Sequence, residues 1–177
     1  MTEAVWGLVR PREREARDQD FAAFAAAAMP RLRRTAYLMC RDWHLAQDLT
    51  QLTMAKMYAS WNRIGRTANL DAYSRRVLLN AIFDQRKRRS GSEVVVAELP
   101  DRPGQATEPT AELHVMLMRA LATLTDRDQA IVVLRHWEDQ SVDTVAEILG
   151  LTPSAVKMRD MRALSRLREL IGEESWH

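Results

Sequence analysis

The sequence predicts an all-α protein built as two small helical domains joined by an extended linker. Three features of the chain predict this. Residues 20–89 place apolar side chains at helical spacing, with few β-branched runs and no Gly–Asn turn clusters. Residues 90–110 break that period with Gly91, Pro100, Pro103, Gly104 and Pro109 in an acidic stretch. Beyond Glu112 the helical period returns, with Leu113, Leu117, Leu121 and Leu124 on one face.

Each element has a local reason. Residues 1–19 mix Pro11 with Arg/Glu alternation and lack an apolar period, so a flexible N-terminal extension is expected. Asp20 is a capping residue for a helix entered by Phe21 and Phe24, and Pro30 is expected to kink it or start a second helix over 31–40. A helix follows over about 45–61, with Leu45, Leu49, Leu52 and Met57 among its apolar positions. Asn69 or Asp71 opens the next, which carries Tyr73, Val77, Leu78, Ile82 and Phe83 toward a core. The expected domains are 20–90 and 112–172, with a linker over 91–111 and a tail over 173–177.

The segment Ser141-Val-Asp-Thr-Val-Ala-Glu-Ile-Leu-Gly150-Leu-Thr-Pro-Ser-Ala-Val-Lys157 is the most informative stretch. Ser141 caps a short helix, Gly150 ends it in the left-handed region, and Thr152 caps the next with Pro153 at its first position. This is a helix-turn-helix pattern. On the second helix Val156, Ala163, Leu164 and Leu167 share the inner face. Ser154, Met158, Met161, Arg162 and Ser165 point outward, with Lys157 and Arg159 on the flanks. A basic helix N-terminus of this kind suits a DNA major groove, where Arg pairs with guanine and Met touches a thymine methyl. Asp160 falls on the apolar side, where pairing with a basic residue or a place at the rim is expected.

Composition narrows the function classes. The 177 residues are 46% apolar and 28% charged, a globular profile. One cysteine, Cys40, excludes a disulfide framework. The four histidines are scattered, with neither metal spacing nor a nucleophile elbow nor a Gly-rich phosphate loop, so no catalytic residue, metal or cofactor is expected. The longest apolar run, Phe21–Met29, is too short to span a bilayer, and the start lacks a secretory pattern; a cytosolic protein without membrane contact is expected. The net charge of +2 conceals a division. Residues 1–90 hold 17 Lys/Arg against 9 Asp/Glu, whereas residues 112–177 hold 8 against 11, with the positive charge gathered over 152–168. Two basic concentrations in separate halves fit two contacts with one polyanion.

The order of motifs supplies a resemblance. Ala46-Gln-Asp-Leu-Thr-Gln-Leu-Thr53 resembles the signature of region 2.2 of bacterial sigma factors. Leu70 through Arg89 looks like regions 2.3–2.4, and Leu124 through Leu164 looks like region 4. The layout resembles the extracytoplasmic-function (group 4) sigma factors of the Arg-rich actinobacterial kind, which keep only regions 2 and 4. The resemblance implies a sigma factor that binds core RNA polymerase and directs promoter-specific initiation. Gln47, Asp48, Gln51 and Leu52 would dock on the β′ clamp helices, and region 4 on the β flap. The family usually has an acidic residue where this chain has Leu52.

For the −10 element the resemblance implies Arg75, Arg76, Asn80, Asp84, Arg86, Lys87, Arg88 and Arg89, with the final run holding phosphates. For the −35 element it implies Arg135, Thr152, Ser154, Lys157, Met158, Arg159 and Arg162. Tyr58, Trp61, Tyr73 and Phe83 stand at helical spacing and are expected in the core. An anti-sigma factor is a further partner that many relatives have. The competing reading is a stand-alone helix-turn-helix regulator that binds duplex operator DNA by itself.

Overall fold

A computed structural model describes residues 11–64, 69–91 and 108–174. All regular structure among them is helical. The helices are α1 (Pro11–Cys40), α2 (Trp43–Ala59), α3 (Trp61–Ile64), α4 (Leu70–Ser90), α5 (Glu108–Ala122), α6 (Asp126–Val132), α7 (Val142–Leu149) and α8 (Pro153–Glu174). A π-helical turn, Val133–Trp137, continues α6.

In the first module α1, α2 and α4 pack against one another, and short α3 closes one end. Their shared core is Leu32, Ala36, Met39, Leu49, Met57, Leu78, Leu79 and Ile82. Asp42 starts α2 by accepting the backbone N–H groups of His44 and Leu45 at 2.9 and 3.1 Å. Asn69, not Asp71, caps α4, through the N–H of Ala72 at 3.1 Å. Arg41 takes a left-handed φ of 59° between α1 and α2, which turns the chain sharply without a glycine.

One expectation fails in α1, and the choice left open at Pro30 falls to one continuous helix rather than two. Residues 11–19, read as a flexible extension, form the first turns of a 30-residue helix. Pro11 stands at the first helical position, where its missing N–H is harmless. The next turns are tied down by α2. Arg17 donates to the Tyr58 hydroxyl at 2.7 Å and lies 4.9 Å from that ring's centre, and the hydroxyl donates to Asp18 at 2.8 Å. That donation holds the Asp18 carboxyl below its ordinary range. The helix also runs on through Pro30. Pro30 is exposed, so the unpaired carbonyl faces the wet side, while Ala28 and Leu32 anchor both flanks in the core. Residues 1–10 lie outside the described part.

The second module packs α5, α6 and α7 on α8 around Met118, Ile131, Leu134, Val145, Val156, Ala163 and Leu167. It begins earlier than expected: Glu108, Pro109, Thr110 and Ala111 are helical, not linker. Proline is compatible with a first turn, because that turn's N–H groups have no helical partner. At the other end α8 reaches Glu174, past the expected boundary at 172. The linker residues 92–107 and residues 175–177 lie outside the described part.

The modules touch. α4 packs against α7, and α1 against the π turn.

Candidate nucleic-acid interface

Around the turn of the second module the local chemistry is as read from the sequence. The Ser141 hydroxyl accepts the N–H of Thr144 at 3.0 Å. Gly150 has φ 63°, donates its N–H to the Ala146 carbonyl, and is followed by Leu151, whose N–H bonds the same carbonyl at 2.9 Å. The Thr152 hydroxyl accepts the N–H of Ala155 at 3.2 Å. Val156 is fully buried, and this seats α8 across α7. Thr152, Ser154, Lys157, Met158 and Arg162 are all exposed on the first turns of α8, together with Met161 at 67%. That face is basic and unobstructed by the module's own core.

Two basic groups of the set are engaged within the module. Arg159 donates to Asp128 of α6 at 2.8 Å. Arg135 is half-buried, donates to the Gln140 carbonyl, and lies 3.8 Å from Asp160. Asp160 thereby pairs with a basic residue, one of its two expected placements, with His136 Nε2 at 2.8 Å from its other oxygen. The carboxylate ties α8 to the π turn, which explains an acidic residue on the inner side of a basic helix.

On α2, Gln47, Asp48, Gln51 and Leu52 form one exposed face. Leu52 is 45% exposed, an apolar spot inside a polar patch, as its departure from an acidic residue implies. The aromatic residues divide. Trp61 is buried and meets Phe21 edge-on at 5.1 Å; Tyr73 and Phe83 pack half-buried against the core; Tyr58 stays partly exposed beneath Arg17.

Along α4 the predicted DNA-facing set separates. Arg76, Asn80, Asp84, Lys87, Arg88 and Arg89 are exposed. Arg75 is only 4% exposed and ion-paired with Glu138, which lies beyond the π turn of the other module. Glu138 also accepts the Thr35 hydroxyl of α1. Arg86 is half-buried and bonds Asp126, the Met39 carbonyl and the Gln129 side chain. Gln129, 2% exposed, donates to the carbonyls of Leu38 and Met39 at 3.0 and 3.4 Å. Arg75 and Arg86 are therefore held by the second module rather than presented to solvent. Glu138, Gln129 and Asp126 had no role in the sequence reading. Gln129 left a faint signal, a polar residue heading the apolar run Ala130–Leu134; Glu138 left none.

Among the described residues no group of three or more His, Cys, Asp or Glu side chains is placed to hold a metal ion. Nor is any described helix long and apolar enough to cross a membrane. Cys40 is free, and burial pushes its thiol up to about 11.

Comparison with known proteins agrees with this geometry. Residues 24–91 match the family model for sigma-70 region 2, and residues 120–169 match that for sigma-70 region 4. The chain is 36% identical over 151 residues to an RNA polymerase sigma-E factor of Streptomyces coelicolor, covering 85% of each protein. It is 40% identical over 125 residues to one from Streptomyces antibioticus, covering 70% of this chain and 69% of the relative. Among solved structures, the sigma factor RpoE of Bartonella quintana, crystallised with the anti-sigma factor NepR, superposes with a TM-score of 0.72 at 26% identity. That match covers 87% of this chain and 98% of the other. CnrH, solved with the cytosolic domain of CnrY, shares the fold with a TM-score of 0.69 at 21% identity, covering 88% and 90%. With both regions matched in order and the relatives spanned over most of their length, the chain belongs to the extracytoplasmic-function family of RNA polymerase sigma factors, which direct transcription initiation.

Proposed function

We propose that the two modules divide promoter recognition between them in the cytoplasm, without catalysing any reaction themselves. The exposed α2 face of Gln47, Asp48, Gln51 and Leu52 docks on the β′ clamp helices, and the second module sits on the β flap. The exposed start of α8 enters the −35 major groove. There Arg162 and Met158 reach base edges, while Thr152, Ser154, Lys157, Arg159 and Arg135 hold phosphates. On α4, Asn80 and Asp84 lie one turn apart and meet an unstacked base of the −10 strand. Arg76, Lys87, Arg88 and Arg89 follow its backbone, while Arg75 and Arg86 are held against the second module.

The observation that supports this most is the α8 start. Its caps and the left-handed Gly150 leave Lys157, Met158 and Arg162 outward while Val156 is buried. An anti-sigma factor is a further partner in this reading, since the similar RpoE of Bartonella quintana was crystallised with one.

Run-off transcription with purified core enzyme tests it. The expected result is a discrete start site that depends on this chain and on both promoter elements. Tight operator binding by the chain alone, without stimulation of any start site, would overturn it in favour of an autonomous regulator.

A further inference from the structure

A cavity of about 290 Å³ lies where the end of α1 and the second half of α4 meet the start of α2 and the α5–α6 corner. That volume holds roughly ten waters at about 30 Å³ each, or one small metabolite. Its wall is apolar at Leu45, Ile82 and Leu124, and the rest of the lining is cationic. Among the described residues Arg41, Arg86 and Arg89 face it against one carboxylate, Asp126, which leaves two positive charges uncompensated. Arg86 is fully occupied, since it holds Asp126, the Met39 carbonyl and Gln129. Arg41, Arg89 and the Gln85 amide, by contrast, have side chains that bond no other group among the described residues.

The cations are gathered around one point. Burial lifts the Cys40 thiol above its ordinary value, and Arg86, Arg89 and Arg41 each pull it back, so all three lie within electrostatic reach of that sulfur. Asp42 opposes them there, but its carboxylate is spent capping α2. Arg41 stands at a left-handed φ of 59°, where glycine or asparagine would be the less strained choice. The last carbonyls of α1, which would repel an anion, are already covered. The Arg41 N–H donates to Tyr37, Gln129 donates to Leu38, and Arg86 and Gln129 share Met39. The open groups at the cavity are therefore mainly donors.

We propose that this cavity is a binding site for a small organic phosphate. Arg41 and Arg89 hold the phosphoryl oxygens, the Gln85 amide bonds one further polar atom, and the organic body lies against Leu45, Ile82 and Leu124. A phosphomonoester carries about 1.5–2 negative charges at neutral pH, which matches the two uncompensated charges of the lining. A dicarboxylate also carries two, but at separate ends, whereas these cations surround one sulfur. Arg89 is shared with the set assigned to the −10 strand, yet the site stands on the cavity and does not depend on that assignment.

The test uses the full-length chain and phenyl phosphate, a probe of about eleven non-hydrogen atoms with an apolar body. Calorimetry reads affinity, and maleimide labelling of Cys40, the only thiol in the chain, reads location. A Kd of about 100 µM is expected for a ligand of this size. At about 1 mM probe, labelling should slow about tenfold as the unoccupied fraction falls. Phenol, succinate and inorganic phosphate are expected to protect far less. Equal protection by succinate overturns the phosphate assignment, and equal protection by inorganic phosphate overturns the role of the apolar wall. No binding of phenyl phosphate, or binding that leaves Cys40 unprotected, overturns the site. Arg41→Asn keeps a residue that tolerates the left-handed turn and is expected to weaken binding about tenfold. Unchanged affinity in that variant removes Arg41 from the site. Should it fail to fold, Ala122→Phe fills the cavity from an exposed position on its wall and is expected to abolish the heat of binding. A retained heat in that variant overturns the site.

Discussion

Arg75 and Glu138 stand 63 positions apart in the chain and form an ion pair that is almost wholly buried between the two modules. Taking two charges out of water is costly, and removing one partner leaves the other uncompensated. Arg75→Met and Glu138→Leu are each expected to destabilise the protein, while the double variant recovers part of the loss. A double-mutant cycle by urea denaturation is expected to give a coupling of about 1–3 kcal/mol. Strict additivity would mean that the pair contributes nothing specific.

Asp48→Arg reverses the charge of the exposed α2 face without touching the core. Core polymerase is expected to be lost in a pull-down, with an unchanged far-ultraviolet circular dichroism spectrum. Retained polymerase would place the docking face elsewhere.

Gly150→Ala tests the turn. A Cβ at this position meets nothing within 4 Å, so the penalty is confined to the backbone at φ 63°. About 1–2 kcal/mol is expected for an alanine held left-handed. The thermal transition of the second module should fall, and −35 duplex binding should weaken in proportion. A larger loss would indicate that the turn collapses.

The recognition face predicts two kinds of loss. Arg162→Ala should cost about 1–3 kcal/mol on the preferred −35 sequence and relax selectivity at one base pair. Lys157→Ala should weaken all sequences alike and reduce the salt slope of binding by about 1. Anisotropy titrations at several salt concentrations separate the two.

The thiol of Cys40 is pushed up from 9.0 to about 11 by burial. A folded-state value above the unfolded one favours the native protein below pH 9, and that contribution disappears as pH rises toward 11. Between pH 9 and 11 the wild type should therefore lose about 2 kcal/mol more stability than Cys40→Ala, from the shift of about two units. Parallel denaturation curves for the two proteins check the difference. Equal losses would mean that the thiol ionises freely in the fold.

Much of the architecture was legible because its causes are local. Caps at Asn69, Ser141 and Thr152, the left-handed Gly150, and the apolar spacing of α4 and α8 act within a few residues, so the sequence displays them directly. The misread segments are those where distant packing overrides a local signal. Pro30 and residues 11–19 look like breaks in isolation, yet the core beneath α1 and the Tyr58 hydroxyl keep the helix intact. The same limit applies to the site. Exposure of Lys157, Met158 and Arg162 follows from helical phase, whereas the partners of Asp160 depend on how α8 crosses the π turn.

By itself the sequence determined the two helical modules, the turn that presents α8, and the family. These rest on periodicity, capping and motif order, all properties of contiguous residues. Only the tertiary structure decided that Arg75 and Arg86 face the second module and that Glu138, Asp126 and Gln129 hold them there. The physical reason is that a buried charge must find its counter-charge in space, and nothing in the local chain records where that partner will come from.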